Sequence, residues 1–185
     1  LIHLKPYGST GPDLLDNRLL THLADMLSAP VCSRINSSIR SGIVPFQWRI
    51  SRVSPIPKVT PALCIESDIR PISITPALSK IAESFIARFF NDHFSTRIDN
   101  NQFGSTKKRS TTHALIRFSH DLFLASDEPG NIIRVLFVDF AKAFDLFDHN
   151  ILMRKFIDND FPLHLSCWSL SFLEDRKQFV KVANG

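Results

Sequence analysis

A chain of 185 residues with 44% apolar side chains can build one full domain or two small ones, and it is too apolar to be disordered over most of its length. The formal charge of +4 permits a nucleic-acid partner without demanding one. No apolar run approaches the ~18 residues of a membrane span, and no secretory leader is visible. Cys32, Cys64 and Cys167 are far apart, odd in number and form no CxxC pair, so they read as three buried thiols in a reducing compartment.

The predicted elements begin after a Gly-Ser-Thr-Gly-Pro loop at residues 8–12, where Asp13 is the expected cap of a helix presenting Leu15, Leu19, Leu20, Leu23 and Leu27. Cys32, Ile35 and Ile39 continue as a second helix up to Gly42. Trp48 to Pro57 alternates as a strand, and Pro55 and Pro57 confine it to an edge or end it. Residues 59–68 read as a loop. Thr75-Pro76 then caps a helix carrying Leu78, Ile81, Ala82, Phe85, Ile86, Phe89 and Phe90 on one face. Ser110 or Thr111 caps the next helix, through Leu115, Phe118, Leu122 and Ala125. A turn at residues 127–131 leads into Ile132-Ile133-Arg134-Val135-Leu136-Phe137-Val138-Asp139-Phe140, the pattern of a buried central strand. Asp148 caps a helix through Phe156, another runs from Leu163 to Leu173, and residues 176–183 alternate as a strand. That strand runs into Asn184-Gly185, a hairpin signal with no return strand, so the chain reads as a fragment. The order of elements is α+β and not a regular βαβ repeat.

Three regions carry chemistry. Asp139 ends its strand on a carboxylate, which a core strand accommodates only where the backbone emerges at a surface or a site, and a sheet fixes such a group well enough to hold a cation. Asp145 follows beyond a small-residue turn; it and Asp148 are also plain helix-cap candidates, and for Asp148 that reading is preferred. Lys58 and Arg70 stand at the end of one strand and the start of a possible antiparallel partner, where two cations can grip a triphosphate, or lie as two solvated charges. Lys107, Lys108 and Arg109 follow a Gly-Ser turn and open a helix, in a stretch without acids between residues 100 and 120. Such a loop suits phosphate-backbone contact, or is a merely exposed basic loop.

Taken in order, Thr10-Gly11-Pro12-Asp13, Trp48 through Pro57-Lys58, Asp68-Ile69-Arg70-Pro71-Ile72-Ser73, Ser79-Lys80-Ile81-Ala82-Glu83, Gln102-Phe103-Gly104 with Arg109-Ser110-Thr111, Val138 through Asp145 with Asp148-His149, and Arg176-Lys177-Gln178 resemble the signatures of the reverse transcriptase domain of non-LTR, LINE-like retrotransposons. The resemblance covers nearly the whole chain. It implies the fingers and part of the palm of a right-hand polymerase: residues 1–130 as fingers with a helical N-terminal extension, residues 131–185 as the first part of the palm, and an incomplete antiparallel sheet packed with helices. It implies RNA template, DNA primer and dNTP as partners, two Mg²⁺ ions (with Mn²⁺ as the alternative) in the intact enzyme, and a location inside the cell, in the nucleus or cytoplasm.

Carried over residue by residue, Asp139 is the catalytic carboxylate, and Asp139 with the carbonyl of Phe140 is the metal-binding pair. Lys58 and Arg70 take the outer phosphates of the dNTP, Ala143 offers backbone N–H to it, and Phe144 is the steric gate against a 2′-hydroxyl. Lys107, Lys108 and Arg109 face template. The chain departs from the family's pattern at Leu14 and Lys108, where Gly is usual, and at Ser105-Thr106, where Phe-Arg is usual. The family's Pro-Gln-Gly segment and Tyr/Phe-x-Asp-Asp hairpin do not occur in residues 1–185, so the chain by itself is expected not to polymerise. Phosphatases of the Asp-x-Asp kind are disfavoured by Ala141. The competing expectation is a non-enzyme, a truncated transposon remnant that retains nucleic-acid affinity through its basic loop.

Overall fold

A computed structural model describes residues 1–140 and 146–180. The chain divides into two compact units, one formed by Leu1–Phe90 with Asp148–Gly185 and the other by Asn91–Phe147.

In the first unit, α1 (Asn17–His22) and α2 (Ala24–Ser41) follow each other with a break at Leu23, and α1 is capped by Asp16, not by Asp13. The reason is local. Leu14 takes a left-handed backbone (φ 58°), so the helix starts after it, and the Asp16 carboxylate accepts the N–H of Arg18 at 2.8 Å. Helix α2 carries Pro30 in its interior and ends at Gly42 (φ 65°), where an added Cβ would sit 2.8 Å from Cys167 Cβ on α7 (Leu163–Leu173). Only glycine satisfies both the backbone and the contact. Gly11 is comparably tight, since its Cβ would fall 2.6 Å from Cα of Pro76 at the start of α4 (Ala77–Phe94).

Helices α6 (His149–Asp158) and α7 (Leu163–Leu173) follow the expected spacing, and Asp148 caps α6 by accepting the N–H groups of Asn150 and Ile151. The core lies where α2 meets α7 and α7 meets α6. Trp168 is its centre, 1% exposed, stacked on Phe172 at 5.3 Å and donating from Nε1 to Ser38 Oγ at 3.0 Å. Phe156 and Phe161 extend the core as an aromatic cluster with Phe90. On α4 the buried stripe is Ser79, Ala82 and Ile86, while Phe85, Phe89 and Phe90 of the expected apolar face stay substantially exposed.

The sheet corrects several expectations. A 3-10 turn (Phe46–Arg49) occupies the predicted start of the first strand, so β1 runs from Ile50 to Pro57. A short helix α3 (Ile65–Asp68) lies within the predicted loop, and β2 (Ile69–Ile74) pairs antiparallel with β1. Strand β3 (Lys177–Val180) pairs with β1 in parallel, which makes the sheet mixed, in the order β2-β1-β3; β1 is its centre over Ile50–Val53, while among the described residues the proline-bearing end of β1 pairs with β2 alone and keeps the edge margin expected of it.

The prolines are tolerated because of register. Pro55 lies opposite Pro71, and Lys58 N–H donates to the Asp68 carbonyl at 2.7 Å, so the hydrogen-bonded pairs fall on Lys58–Asp68 and Ile56–Arg70. Pro55, Pro57 and Pro71 therefore occupy positions whose N–H groups are not used between β1 and β2. The β1–β3 pairs, from Ile50–Lys177 to Val53–Val180, lie before the first proline.

The second unit contains the loop after α4 and α5 (Thr111–Ser126), capped as expected by Ser110, whose Oγ accepts the N–H of His113. None of its described residues is buried. Residues 132–140, predicted as the buried central strand, are neither paired nor buried: Leu136 is 85% and Phe137 82% exposed. The β-branched pattern supplies the propensity, but a strand exists only by pairing, and among the described residues these find no ladder. Cys32 and Cys64 are likewise exposed and Cys167 half-buried, where buried thiols are expected from sequence.

Leu14 (φ 58°) and Lys108 (φ 62°) are the two positions at which the resembled family carries glycine. A left-handed backbone costs a side-chain-bearing residue about 1–2 kcal/mol, against an extra entropy cost of roughly 0.5–1 kcal/mol for glycine. Leu14→Gly and Lys108→Gly are each expected to stabilise their unit by about 0.5–1 kcal/mol, read as a raised urea midpoint or as slower amide exchange; destabilisation by either would contradict the assignment of strain.

Candidate functional site

The β1–β2 ribbon brings Lys58 and Arg70 together. Directly opposed residues of an antiparallel pair share a face, so Arg70 shares one with Ile56, and Lys58, two residues after Ile56 and just past the end of β1, continues the same alternation. Both cations are exposed, diagonal neighbours at the end of the ribbon. The Lys58 ammonium donates to the Ser67 carbonyl at 2.7 Å.

Beside this pair is a residue that stands in one of the quoted motifs and to which the sequence assigns no role. Asp68 Oδ2 accepts the N–H groups of Leu63 and Cys64, both at 3.0 Å, and Oδ1 accepts the Ser67 hydroxyl at 2.7 Å. These hydrogen bonds, the Ser67 hydroxyl foremost and the ammonium of Lys58 adding a smaller contribution, hold the Asp68 carboxyl below its usual range, and the Ser67 hydroxyl also lowers the Cys64 thiol. The signal in the sequence was an acid and a serine closing a proline-containing loop directly before Arg70.

The three cations of the basic loop do not act alike. Lys107 and Lys108 are exposed. Arg109 is half-buried and folds back over its own turn: Nη1 donates to the carbonyls of Asp99 (3.1 Å), Asn100 and Gln102 (3.0 Å), and the guanidinium carbon lies 5.9 Å from the centre of the Phe103 ring. Its donors are committed to loop carbonyls, as befits a planar fork, and it is a clamp for the turn more than a free cation. Lys107 lines a hollow of about 200 Å³ with Asp92, Ser95 and Thr106.

Asp139 and Phe140 are exposed, in the unpaired segment of the second unit. Ala143 and Phe144, with Asp145, lie outside the described residues. Among the described residues no group of three or more His, Cys, Asp or Glu side chains converges. One carboxylate and one carbonyl fall short of the near-octahedral oxygen shell Mg²⁺ requires, so the described donors do not make a metal site by themselves. No helix among the described residues is long and apolar enough to cross a membrane.

By sequence the chain is a relative of the RNA-directed DNA polymerases of non-LTR transposons, the family that the ordered motifs resemble. It is 30% identical over 151 residues to the Drosophila melanogaster protein named "Probable RNA-directed DNA polymerase from transposon BS", and 30% identical over 174 residues to the RNA-directed DNA polymerase from mobile element jockey of the same species. The jockey protein of Drosophila funebris is 29% identical over 157 residues. These alignments take in 80%, 93% and 82% of this chain but only 16%, 19% and 17% of the respective relatives. The chain thus spans under one fifth of the length of the curated relatives it matches. No family model matches it.

Proposed function

We propose that the chain is the nucleotide- and template-facing portion of a transposon reverse transcriptase, with residues 1–130 as fingers and 131–185 as the start of the palm. The observation that carries this reading is the ribbon of β1 and β2, which sets Lys58 and Arg70 side by side on one exposed face, in a chain related along most of its length to RNA-directed DNA polymerases. On this reading the two cations hold the outer phosphates of a dNTP, where negative charge accumulates during phosphoryl transfer. Asp139 and the Phe140 carbonyl supply one side of a divalent-metal site, Ala143 and Phe144 line the sugar and phosphates, and Lys107 and Lys108 meet the template backbone while Arg109 shapes their loop. Mg²⁺, with Mn²⁺ as the alternative ion, RNA template and DNA primer belong to the intact enzyme, inside the cell. Because one carboxylate and one carbonyl are a poor Mg²⁺ site, the isolated chain is proposed to bind without polymerising.

A second reading, a decayed element retaining only nucleic-acid affinity, is favoured by the left-handed backbone at Leu14 and Lys108, where the resembled family uses glycine. Both readings expect the basic loop to bind RNA. In titrations of single-stranded RNA against salt, changing Lys107 and Lys108 to alanine is expected to flatten the log–log slope by about 1.4, roughly 0.7 per lost phosphate contact, with weaker binding at low salt. An unchanged slope would remove the template contact from both readings.

A further inference from the structure

We infer that Asp68 is a positioning residue for the triphosphate grip: it locks the loop between Lys58 and Arg70 and thereby sets the separation and facing of the two cations. The inference rests on the reading of Lys58 and Arg70 as phosphate ligands. Asp68 sits where three constraints meet. Its carbonyl accepts the Lys58 N–H at 2.7 Å, adding one rung to the ladder beyond Pro57–Ile69. Its carboxylate gathers the N–H groups of Leu63 and Cys64 and the hydroxyl of Ser67. The Ser67 carbonyl in turn receives the Lys58 ammonium at 2.7 Å. One half-buried acid therefore ties the backbone of Lys58, the resting contact of its side chain and the strand that carries Arg70 two residues later.

The need for such a lock follows from the chain itself. The paired register of β1 and β2 ends at Pro57–Ile69, and beyond it the Lys58 N–H to the Asp68 carbonyl is the rung that continues the ladder. Residues 59–67 must also return the chain across the ribbon without a tight two-residue turn. A loop of that length held only at its ends would let the cations drift, and misplacing a charge by an ångström weakens a polydentate contact steeply. The carboxylate closes the loop from inside, accepting from donors on both of its oxygens.

The sign of the charge makes the test decisive. Asp68→Asn removes a negative charge beside a polyanion site, so electrostatics alone would tighten triphosphate binding; loss of positioning would weaken it. Inorganic triphosphate and dATP are titrated against the full chain, following side-chain and amide resonances of Lys58 and Arg70. D68N is expected to weaken both ligands five- to tenfold, and Ser67→Ala, which keeps every charge, two- to threefold. Unchanged or tighter binding in D68N overturns the inference. In the same variant, hydrogen exchange of the Leu63 and Cys64 amides is expected to accelerate while those of Ser54 and Ile72 stay protected, which separates loosening of the loop from unfolding; retained protection at Leu63 and Cys64 likewise overturns it. A Lys58→Ala, Arg70→Ala double variant tells the two levels apart. If it loses triphosphate binding and D68N does not, the inference alone fails; if it binds normally, the reading beneath fails with it.

Discussion

Trp168→Ala is expected to destabilise the first unit by about 3–5 kcal/mol, the range for deleting a fully buried large aromatic. The side chain is 1% exposed, lies parallel to Phe172 and reaches across to α2 through its indole N–H. Its removal leaves a cavity at the meeting of α2 and α7 and takes from Ser38 Oγ the donor it accepts, leaving its own donation to the Ile43 carbonyl at 2.6 Å. Since a domain's whole stability is typically about 5–15 kcal/mol, a loss of this size brings the unit close to its unfolding threshold. Urea denaturation followed by far-ultraviolet circular dichroism measures it, and a loss below about 1 kcal/mol would show that the site collapses onto smaller side chains. Ser38→Ala isolates the polar part: it leaves a buried indole N–H without its acceptor, at about 1–3 kcal/mol.

Neutralising both cations of the ribbon, Lys58→Ala with Arg70→Ala, is expected to lower affinity for triphosphate about 100-fold. A charge-assisted hydrogen bond contributes about 1.5–3 kcal/mol, and for exposed groups the lower end applies, near one decade of affinity for each residue. Arg70→Lys is expected to keep part of the loss, because an ammonium has the charge of guanidinium without its planar pair of donors. Binding by the unchanged chain should weaken with salt, whose screening length is about 8 Å at physiological strength. A double variant within threefold of the original chain would take both residues out of nucleotide contact.

What could be read from the sequence followed the range of the forces involved. Helices α4, α5, α6 and α7 were legible because their determinants are local: apolar spacing on one face, and Ser110 and Asp148 at the caps. The same locality misled at Asp13, since nothing in the pattern marks Leu14 as left-handed. Pairing is where inference stopped. Residues 132–140 have every residue preference of a core strand, yet preference supplies no partner, and the strand that does take the central place, β1, carries prolines that argue for an edge. Only register shows those prolines to be harmless. The Lys58–Arg70 pair was visible because it needs one hairpin alone. Lys107, Lys108 and Arg109 read as one patch, whereas the carbonyls of Asp99, Asn100 and Gln102 draw Arg109 out of it. Asp68 stands in one of the quoted motifs without a role for the converse reason, that its work is done on backbone amides, which the sequence does not display.

The opposed prolines of the ribbon have one more effect. Pro71 lacks a donor along the outer margin of β2, and Pro55 and Pro57 lack donors along the opposite margin of β1. A foreign strand seeking to add itself to either side of this tip would meet gaps where hydrogen bonds should form. The tip is thereby kept as a two-stranded arm, guarded against strand addition along both margins. Among the described residues, the arm that carries Lys58 and Arg70 therefore ends the sheet with two strands and no third.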